Sequence, residues 1–261
     1  MDETALRISL ELLEAGGVWV ARDGGEAIGI AAAQTAQDER YVGDLYVEPS
    51  FRGSGVGARL LEAAFAQAGD LSQAMLVQPG EAASLALALR RRMSLREPLM
   101  RFAGPLPREE ELAAMAAGQY RFDVADLDPI AHASALDELD RRTRGTARPL
   151  EHAAFAGAAA GFAFYVTGEL VGYAYAWPDG RVGPMACASQ AYLVQIFAYA
   201  LVSLARRHGA SWCSALVPGS NVRIARTALR AGLRIAESAL YASDAFAGDL
   251  SAYVCGHALQ L

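Results

Sequence analysis

Residues 45–61 read Leu-Tyr-Val-Glu-Pro-Ser-Phe-Arg-Gly-Ser-Gly-Val-Gly-Ala-Arg-Leu-Leu, an apolar run that breaks at a proline, turns through three glycines and resumes with helical spacing. Gly53, Gly55 and Gly57 can take backbone angles closed to other residues and let a ligand approach the main chain. The first free N–H groups of the helix that follows face an anion, and Arg52 adds a fixed positive charge. Such a stretch can cradle a phosphate, although glycines at this density also mark ordinary tight turns. It departs from commoner phosphate loops in two ways: no Lys-Ser/Thr follows the last glycine, and the glycine spacing is not the dinucleotide fingerprint. Asp44 and Tyr46, just upstream, are a carboxylate and a phenol able to move a proton. Strand alternation puts Asp44, Tyr46 and Glu48 on one face and Gly43, Leu45 and Val47 on the other, unless a bulge re-aims them.

The elements around this stretch follow from periodicity and punctuation. Apolar spacing predicts a helix at 4–14, then strands at 18–21 and 27–33 joined by Asp23-Gly24-Gly25, a strong hairpin signal. A third strand at 41–47 leads into the cradle, and its helix runs to about residue 68 with Gly69 as the stop. A strand at 75–77, a helix at 82–92 and a closing edge strand at 98–102 complete a first unit. Gly104-Pro105-Leu106-Pro107 and Glu109-Glu110-Glu111 read as the start of a linker, with a short helix at 112–117. The pattern then restarts: strand 120–124, helix 129–141, a hairpin at 162–167 and 170–176, strand 182–185, a long apolar helix at 190–206, strand 212–217, helix 221–231 capped by Gly232, and strands at 235–242 and 252–257. Glu26-Ala27-Ile28-Gly29 recurs as Glu169-Leu170-Val171-Gly172, and Leu76-Val77-Gln78-Pro79-Gly80 as Leu216-Val217-Pro218-Gly219, each about 140 residues on, which is an internal duplication at a domain-sized interval.

The totals agree with two domains. The chain has 261 residues, 53% of them hydrophobic, and 23 basic against 29 acidic residues give a net charge of −6, which argues against a nucleic-acid surface. The three cysteines, Cys187, Cys213 and Cys255, are odd in number and widely spaced, so they suggest buried thiols in a reducing cytoplasm and neither a disulfide framework nor a metal cluster. Residues 184–205 are uncharged, but Ser189, Gln190, Gln195 and Ser203 interrupt them and no anchors flank them. They read as a buried helix, and with no secretory signal at the start no membrane role is expected.

The order strand, Pro-x-x-Arg-Gly-x-Gly-x-Gly, amphipathic helix resembles the acetyl-CoA-binding motif of the GNAT acetyltransferase superfamily. Helices on both sides of a mixed sheet give an α/β or α+β class. The resemblance implies a twisted mixed sheet splayed open after its fourth strand and repeated twice, as a GNAT-like domain at 1–104, a linker at 105–118 and a second, degenerate GNAT-like domain at 119–261. The first copy is shorter at its start, lacking an opening strand and helix. The resemblance also implies an N-acetyltransferase moving an acetyl group from acetyl-CoA, with no metal, to an amine of a small molecule or a peptide lysine, and it leaves a homodimer open. A non-catalytic acyl-CoA sensor is the alternative.

By that resemblance, pyrophosphate rests on the N–H groups of Arg52, Gly53, Ser54, Gly55, Val56, Gly57 and Ala58. Main-chain groups of Leu45 and Val47 pair with the pantetheine arm, and the Val47 N–H faces the thioester oxygen. Many relatives carry a glutamate base where this chain has Gly43, so Asp44 is the nearest substitute, although a carboxylate there could instead bind helix N–H groups or an arginine. The tyrosine that serves as general acid in relatives falls at Arg90, a residue suited to capping a helix end, which leaves Tyr46 or Tyr41 as replacements. In the second copy Cys187-Ala188-Ser189-Gln190 replaces the cradle, with Ser189 readable as a helix cap. Asn221 reads either as a cap or as a pantetheine contact. Arg141, Arg142, Arg144, Arg148 and His152 form a basic cluster suited to an anion or an acidic surface, and neither His152 nor His208 has metal-ligand spacing.

Overall fold

The structure is a computed structural model that describes residues 17–36 and 38–256. The helix expected at 4–14 and the His257 end of the last strand lie outside the described residues. In chain order the elements are β1 (Val18–Asp23), β2 (Glu26–Thr35), β3 (Glu39–Val47), α1 (Val56–Phe65), β4 (Ser72–Val77), α2 (Ala82–Arg90), β5 (Ser94–Pro105), α3 (Glu109–Ala116), β6 (Asp123–Asp126), α4 (Ala133–Arg144), α5 (Pro149–Phe155), β7 (Ala160–Val166), β8 (Glu169–Ala176), β9 (Arg181–Cys187), α6 (Leu193–His208), β10 (Trp212–Pro218), α7 (Val222–Arg230), β11 (Arg234–Ser243) and β12 (Tyr253–Val254). The class is mixed α/β, with twisted open sheets flanked by helices. The described residues form two compact units, one of residues 17–97 and Ala239–Phe246, the other of Pro98–Ser238 and residues 247–256.

In the first unit, Gly24 and Gly25 turn with φ of 54° and 93° and join β1 to β2 as an antiparallel hairpin. β2 pairs antiparallel with β3, and β3 runs parallel to β4. The neighbour on the far side of β4 is the end of β11, paired from Leu240↔Val77 to Ser243↔Ala74. Helix α1 buries Val56, Leu60, Leu61, Ala64 and Phe65 along one face, against Ile28, Ala31, Val42, Met75 and Val77 of the sheet. Each such large apolar side chain contributes roughly 1.5–3 kcal/mol. Gly29 makes the close approach of helix to sheet possible, since a Cβ there would lie 3.0 Å from both Leu60 Cδ1 and the Tyr46 carbonyl.

The second unit repeats the plan. Its hairpin is β7–β8, turning at Thr167 and Gly168, and β9 runs antiparallel to β8 and parallel to β10. Helix α6 lays Leu193, Ile196, Phe197, Ala200, Leu201 and Leu204 into a core shared with Phe162, Phe164, Met185 and Val217. Gly172 plays the part of Gly29: a Cβ would meet Ile196 Cδ1 at 2.8 Å. The echo between the two four-residue motifs is therefore a packing requirement, a glycine where a helix crosses the second strand of a hairpin. Among the described residues no helix is long and apolar enough to cross a membrane.

Four expectations are corrected. The strand at 98–102 closes no edge of the first sheet: it is the second half of β5, and Leu99 to Pro105 pair antiparallel with β10. The strand at 235–242 likewise gives its end to β4. Hydrophobic alternation marks both as strands but carries no information about their partners. Of the uncharged run 184–205 read as a buried helix, residues 184–187 belong to β9, where the strand expected at 182–185 lies, and the helix starts only at Leu193. Helix α5 lies between the helix expected at 129–141 and the hairpin, where no element was expected, and starts at Arg148-Pro149 with proline in its first turn.

Candidate functional site

The cradle is built from the break between β3 and α1. Pro49–Phe51 form a short 3-10 turn, and the chain then passes through Gly53 at φ 82° and Gly55 at φ 88° before α1 starts. Both values lie in the left-handed region, and a Cβ at either glycine would meet nothing within 4 Å, so the main chain here can be approached closely. Gly55 is the N-cap. The first intrahelical bond runs from Arg59 N to Gly55 O at 3.1 Å, which leaves the N–H groups of Val56, Gly57 and Ala58 as the open first turn. Gly57 differs from the other two: its φ is ordinary, and a Cβ would sit 3.4 Å from Leu87 Cδ1 and 3.5 Å from Val47 Cγ2.

β3 reaches this turn along an opening in the sheet. Its pairing with β4 ends at Val42↔Met75. Glu48 N donates to Ile28 O at 2.9 Å, so alternation turns the N–H and C=O of Tyr46 toward β2 and those of Leu45 and Val47 toward the side β4 no longer occupies. Among the described residues no strand pairs with this edge, and it leads to a helix N-terminus. The residues fit a donor with a peptide-like arm and a pyrophosphate.

Asp44 and Tyr46 reach the opposite face because of a bulge. Between Ala32↔Asp44 and Ala33↔Val42, β3 carries one extra residue, Gly43. Val42 packs in the α1 core, and strict alternation would have sent Asp44 there too. The extra residue resets the phase, so that Leu45 and Val47 pack toward the α1 core and Asp44, Tyr46 and Glu48 face solvent. Solvent reaches Asp44 from one side, but protein atoms crowd the rest of it, and this partial desolvation raises its carboxyl above the ordinary range. The Tyr46 hydroxyl donates to Glu48 Oε2 at 3.1 Å, a bond that, with partial desolvation and the Glu48 charge, raises the phenol's pKa despite the nearby Arg52.

The remaining predicted side chains serve the scaffold. Arg52 Nε donates to Val47 O at 3.1 Å and its Nη1 to Glu81 Oε1 at 3.3 Å, a half-exposed pair that ties the β3–α1 turn to the start of α2. Nothing in the spacing of residues around Glu81 marks it as a partner of the cradle. The Ser54 hydroxyl donates to Phe51 O at 2.6 Å. Tyr41 is buried with its ring 6.3 Å from that of Tyr241, and Arg90 is exposed at the end of α2, so neither joins Asp44 and Tyr46.

The second unit has no glycine cradle. Ser189 Oγ accepts from Ala191 N at 3.2 Å, and α6 starts only at Leu193 with Tyr192 as N-cap, so Ser189 is a turn residue instead of the helix cap. Asn221 caps α7, accepting from Ile224 N at 3.1 Å, while its Nδ2 donates to Tyr253 O at 2.8 Å. The basic cluster divides. Arg148 and His152 turn inward around Asp140: His152 Nε2 lies 3.0 Å and Arg148 Nε 3.7 Å from Asp140 Oδ2, Tyr173 donates to Oδ1, and Tyr175 meets His152 Nδ1 at 2.8 Å. Burial opposes the Asp140 charge, but the bond from His152 and the Arg148, His152 and Arg144 charges outweigh it and hold the carboxyl below its ordinary range. Burial alone pushes the Cys213 thiol up to about 12 and the Cys187 thiol further, which makes both poor nucleophiles. No group of three or more metal-ligating side chains occurs among the described residues.

The sequence matches one family model, described as Acetyltransferase (GNAT) domain, over residues 14–89. Among solved structures, a candidate acetyltransferase from Pyrococcus horikoshii superposes with a TM-score of 0.71 at 14% identity, over 98% of this chain and 84% of that one. A GCN5-related N-acetyltransferase from Sphaerobacter thermophilus gives 0.58 at 16% identity, over 84% and 77%. A tandem GNAT protein from the clavulanic acid biosynthesis pathway gives 0.58 at 17%, over 88% and 82%. At these identities the likeness to the structures is one of fold. No curated protein matches the sequence. The matched stretch contains the whole glycine cradle, and the chain as a whole shares its fold with GCN5-related N-acetyltransferases.

Proposed function

We propose that the chain is an N-acetyltransferase that takes its acetyl group from acetyl-CoA in the first unit. The observation that carries this reading is the edge of β3, unpaired among the described residues, running into a helix N-terminus through two left-handed glycines. The N–H groups of Gly53 and of Gly55 to Ala58 hold the pyrophosphate, those of Arg52 and Ser54 being taken by the carbonyls of Pro49 and Phe51, and Leu45 and Val47 pair with the pantetheine arm. The Val47 carbonyl is already taken by Arg52 Nε, so its N–H is the group left to face the thioester oxygen and stabilise the developing oxyanion. Asp44 accepts the proton of the acceptor ammonium, directly or through water. Tyr46, exposed on the same strand as Asp44, returns a proton to the leaving thiolate. The acceptor is an amine of a small molecule or a lysine of a peptide, and the reducing compartment that suits three cysteines outside any disulfide is the cytoplasm.

Release of free thiol from acetyl-CoA, followed across a panel of amines, tests the reading. Amine-dependent release that disappears in Gly55→Glu is expected. Tight acetyl-CoA binding with no release for any amine would favour an acyl-CoA sensor, a reading motivated by Gly43 and Arg90 standing where relatives carry their base and acid.

A further inference from the structure

The opening between β9 and β10 in the second unit is filled by the chain itself. The two strands pair only at Arg181↔Ser214 and Val182↔Ala215. Beyond that point β12 lies between them, antiparallel to β9 through Tyr253↔Ala186 and Val254↔Met185, and tied to β10 by Cys255 N donating to Leu216 O at 2.9 Å. The inserted strand therefore satisfies main-chain groups on both lips of the opening, as an added strand does in β-augmentation. Tyr253, Val254 and Cys255 are each 0% exposed, and Val254 is part of the unit's core.

Side chains on several elements recognise this strand. Asn221 Nδ2 holds the Tyr253 carbonyl, Arg148 Nη2 donates to the Tyr253 hydroxyl, and the Arg148 guanidinium lies 5.5 Å over the Tyr253 ring. Asp249 N donates to Arg142 O at 2.9 Å just before the strand. Gly183, at φ 122°, is where the strand passes closest, since any Cβ there would collide with the Cys255 carbonyl. In the first unit, the corresponding stretch of β3 past its bulge has no strand inserted beside it among the described residues.

We propose that the second unit's opening is a strand-binding groove whose occupant is this chain's own segment 250–256, and that the bound strand excludes acetyl-CoA from that unit. A pantetheine arm would need the main-chain groups that β12 already holds, and a ligand joined through the chain competes at a high effective concentration. The inference rests on the donor-site reading of the first unit only for the number of acetyl-CoA molecules bound. Occupancy of the groove has its own readout.

Hydrogen exchange of the full chain, read on the peptide covering 250–256, is combined with calorimetric titration by acetyl-CoA. The expected result is amides at Val254 and Cys255 protected at least about a hundredfold, unchanged at saturating acetyl-CoA, with one acetyl-CoA bound per chain. Gly183→Ala is expected to abolish that protection and to let a second acetyl-CoA bind, more weakly than the first because this unit has no glycine cradle; lost protection with the titration unchanged would show that the strand is not what excludes the ligand. Should that variant fail to fold, Tyr253→Phe, which removes only the hydroxyl held by Arg148, is expected to raise exchange in the same segment alone. In the parent chain, two acetyl-CoA sites, unprotected amides at 254–255, or protection that falls as acetyl-CoA is added would each overturn the proposal. Protected amides with no acetyl-CoA bound anywhere would uphold the groove and defeat the donor-site reading of the first unit.

Discussion

Asp44 owes its place to its neighbour. Without the extra residue at Gly43 its carboxylate would lie in the apolar core beneath α1; with it, the carboxylate stands beside the open edge of β3. A base works in its deprotonated form, so a raised pKa moves the loss of activity on acidification to a higher pH than an ordinary carboxylate would give. Asp44→Asn should lower kcat/KM by about 10²–10⁴, remove that acidic limb from the pH–rate profile and leave acetyl-CoA affinity unchanged; an unaltered limb would assign the base elsewhere. Asp140 shows the opposite sign. Its pKa is depressed in the folded state, so its stabilising contribution is present above the unfolded value of about 4 and is lost as pH falls through the folded value. Asp140→Asn, which leaves Arg148 buried without its partner, should cost roughly 3–5 kcal/mol in denaturant unfolding at neutral pH, with the gap from the parent narrowing in acid. Asp44 was legible because it sits next to a motif. Asp140 was legible only in retrospect, as a charge on the buried stripe with Leu136, Leu139 and Thr143, a pattern that calls for an inward partner.

At the scale of elements, the duplication is explained by what the repeated residues do. Gly29 and Gly172 each let a helix settle onto a strand, and a side chain at either would push the helix away. Gly29→Val should therefore destabilise the first unit by roughly 1–3 kcal/mol, measured by thermal or denaturant unfolding, and should weaken acetyl-CoA binding because α1 carries the cradle. An exposed glycine such as Gly80, with nothing within 4 Å of its Cβ position, should tolerate alanine. Hairpins, the cradle and the long helices could be read directly, because Gly24-Gly25, Gly53 and Gly55 are demanded by local geometry and α1 and α6 by helical periodicity. Strand partners could not. The halves of β5 and β11 pair where long-range packing sends them, and a two-residue strand such as β12 carries too little alternation to announce that it fills a groove.

For the whole molecule, one plan has been used twice, and among the described residues only the second copy has a strand inserted in its opening. In the first unit, β3 and β4 part beside a glycine cradle; in the second, β9 and β10 part around the chain's own strand. Ligand binding restricted to the first unit should stabilise that unit alone. At acetyl-CoA concentrations of about 100 Kd the gain is roughly 2.7 kcal/mol, and hydrogen exchange should report it in α1, β3 and β4 but not in α6 or β10. The net charge of −6 and the apolar content suggested two ordinary cores without a nucleic-acid surface, yet nothing in composition distinguishes an open cleft from a filled one. That distinction lies in main-chain pairing, which composition does not encode. The most direct measurement is a crystal structure of the full chain with acetyl-CoA. The account predicts one molecule per chain, its pyrophosphate against the N–H groups of Gly53 and of Gly55 to Ala58 and its arm alongside Leu45 and Val47, with β12 still in place. Density for the molecule between β9 and β10, or no density in the β3–β4 opening at saturating acetyl-CoA, would contradict it.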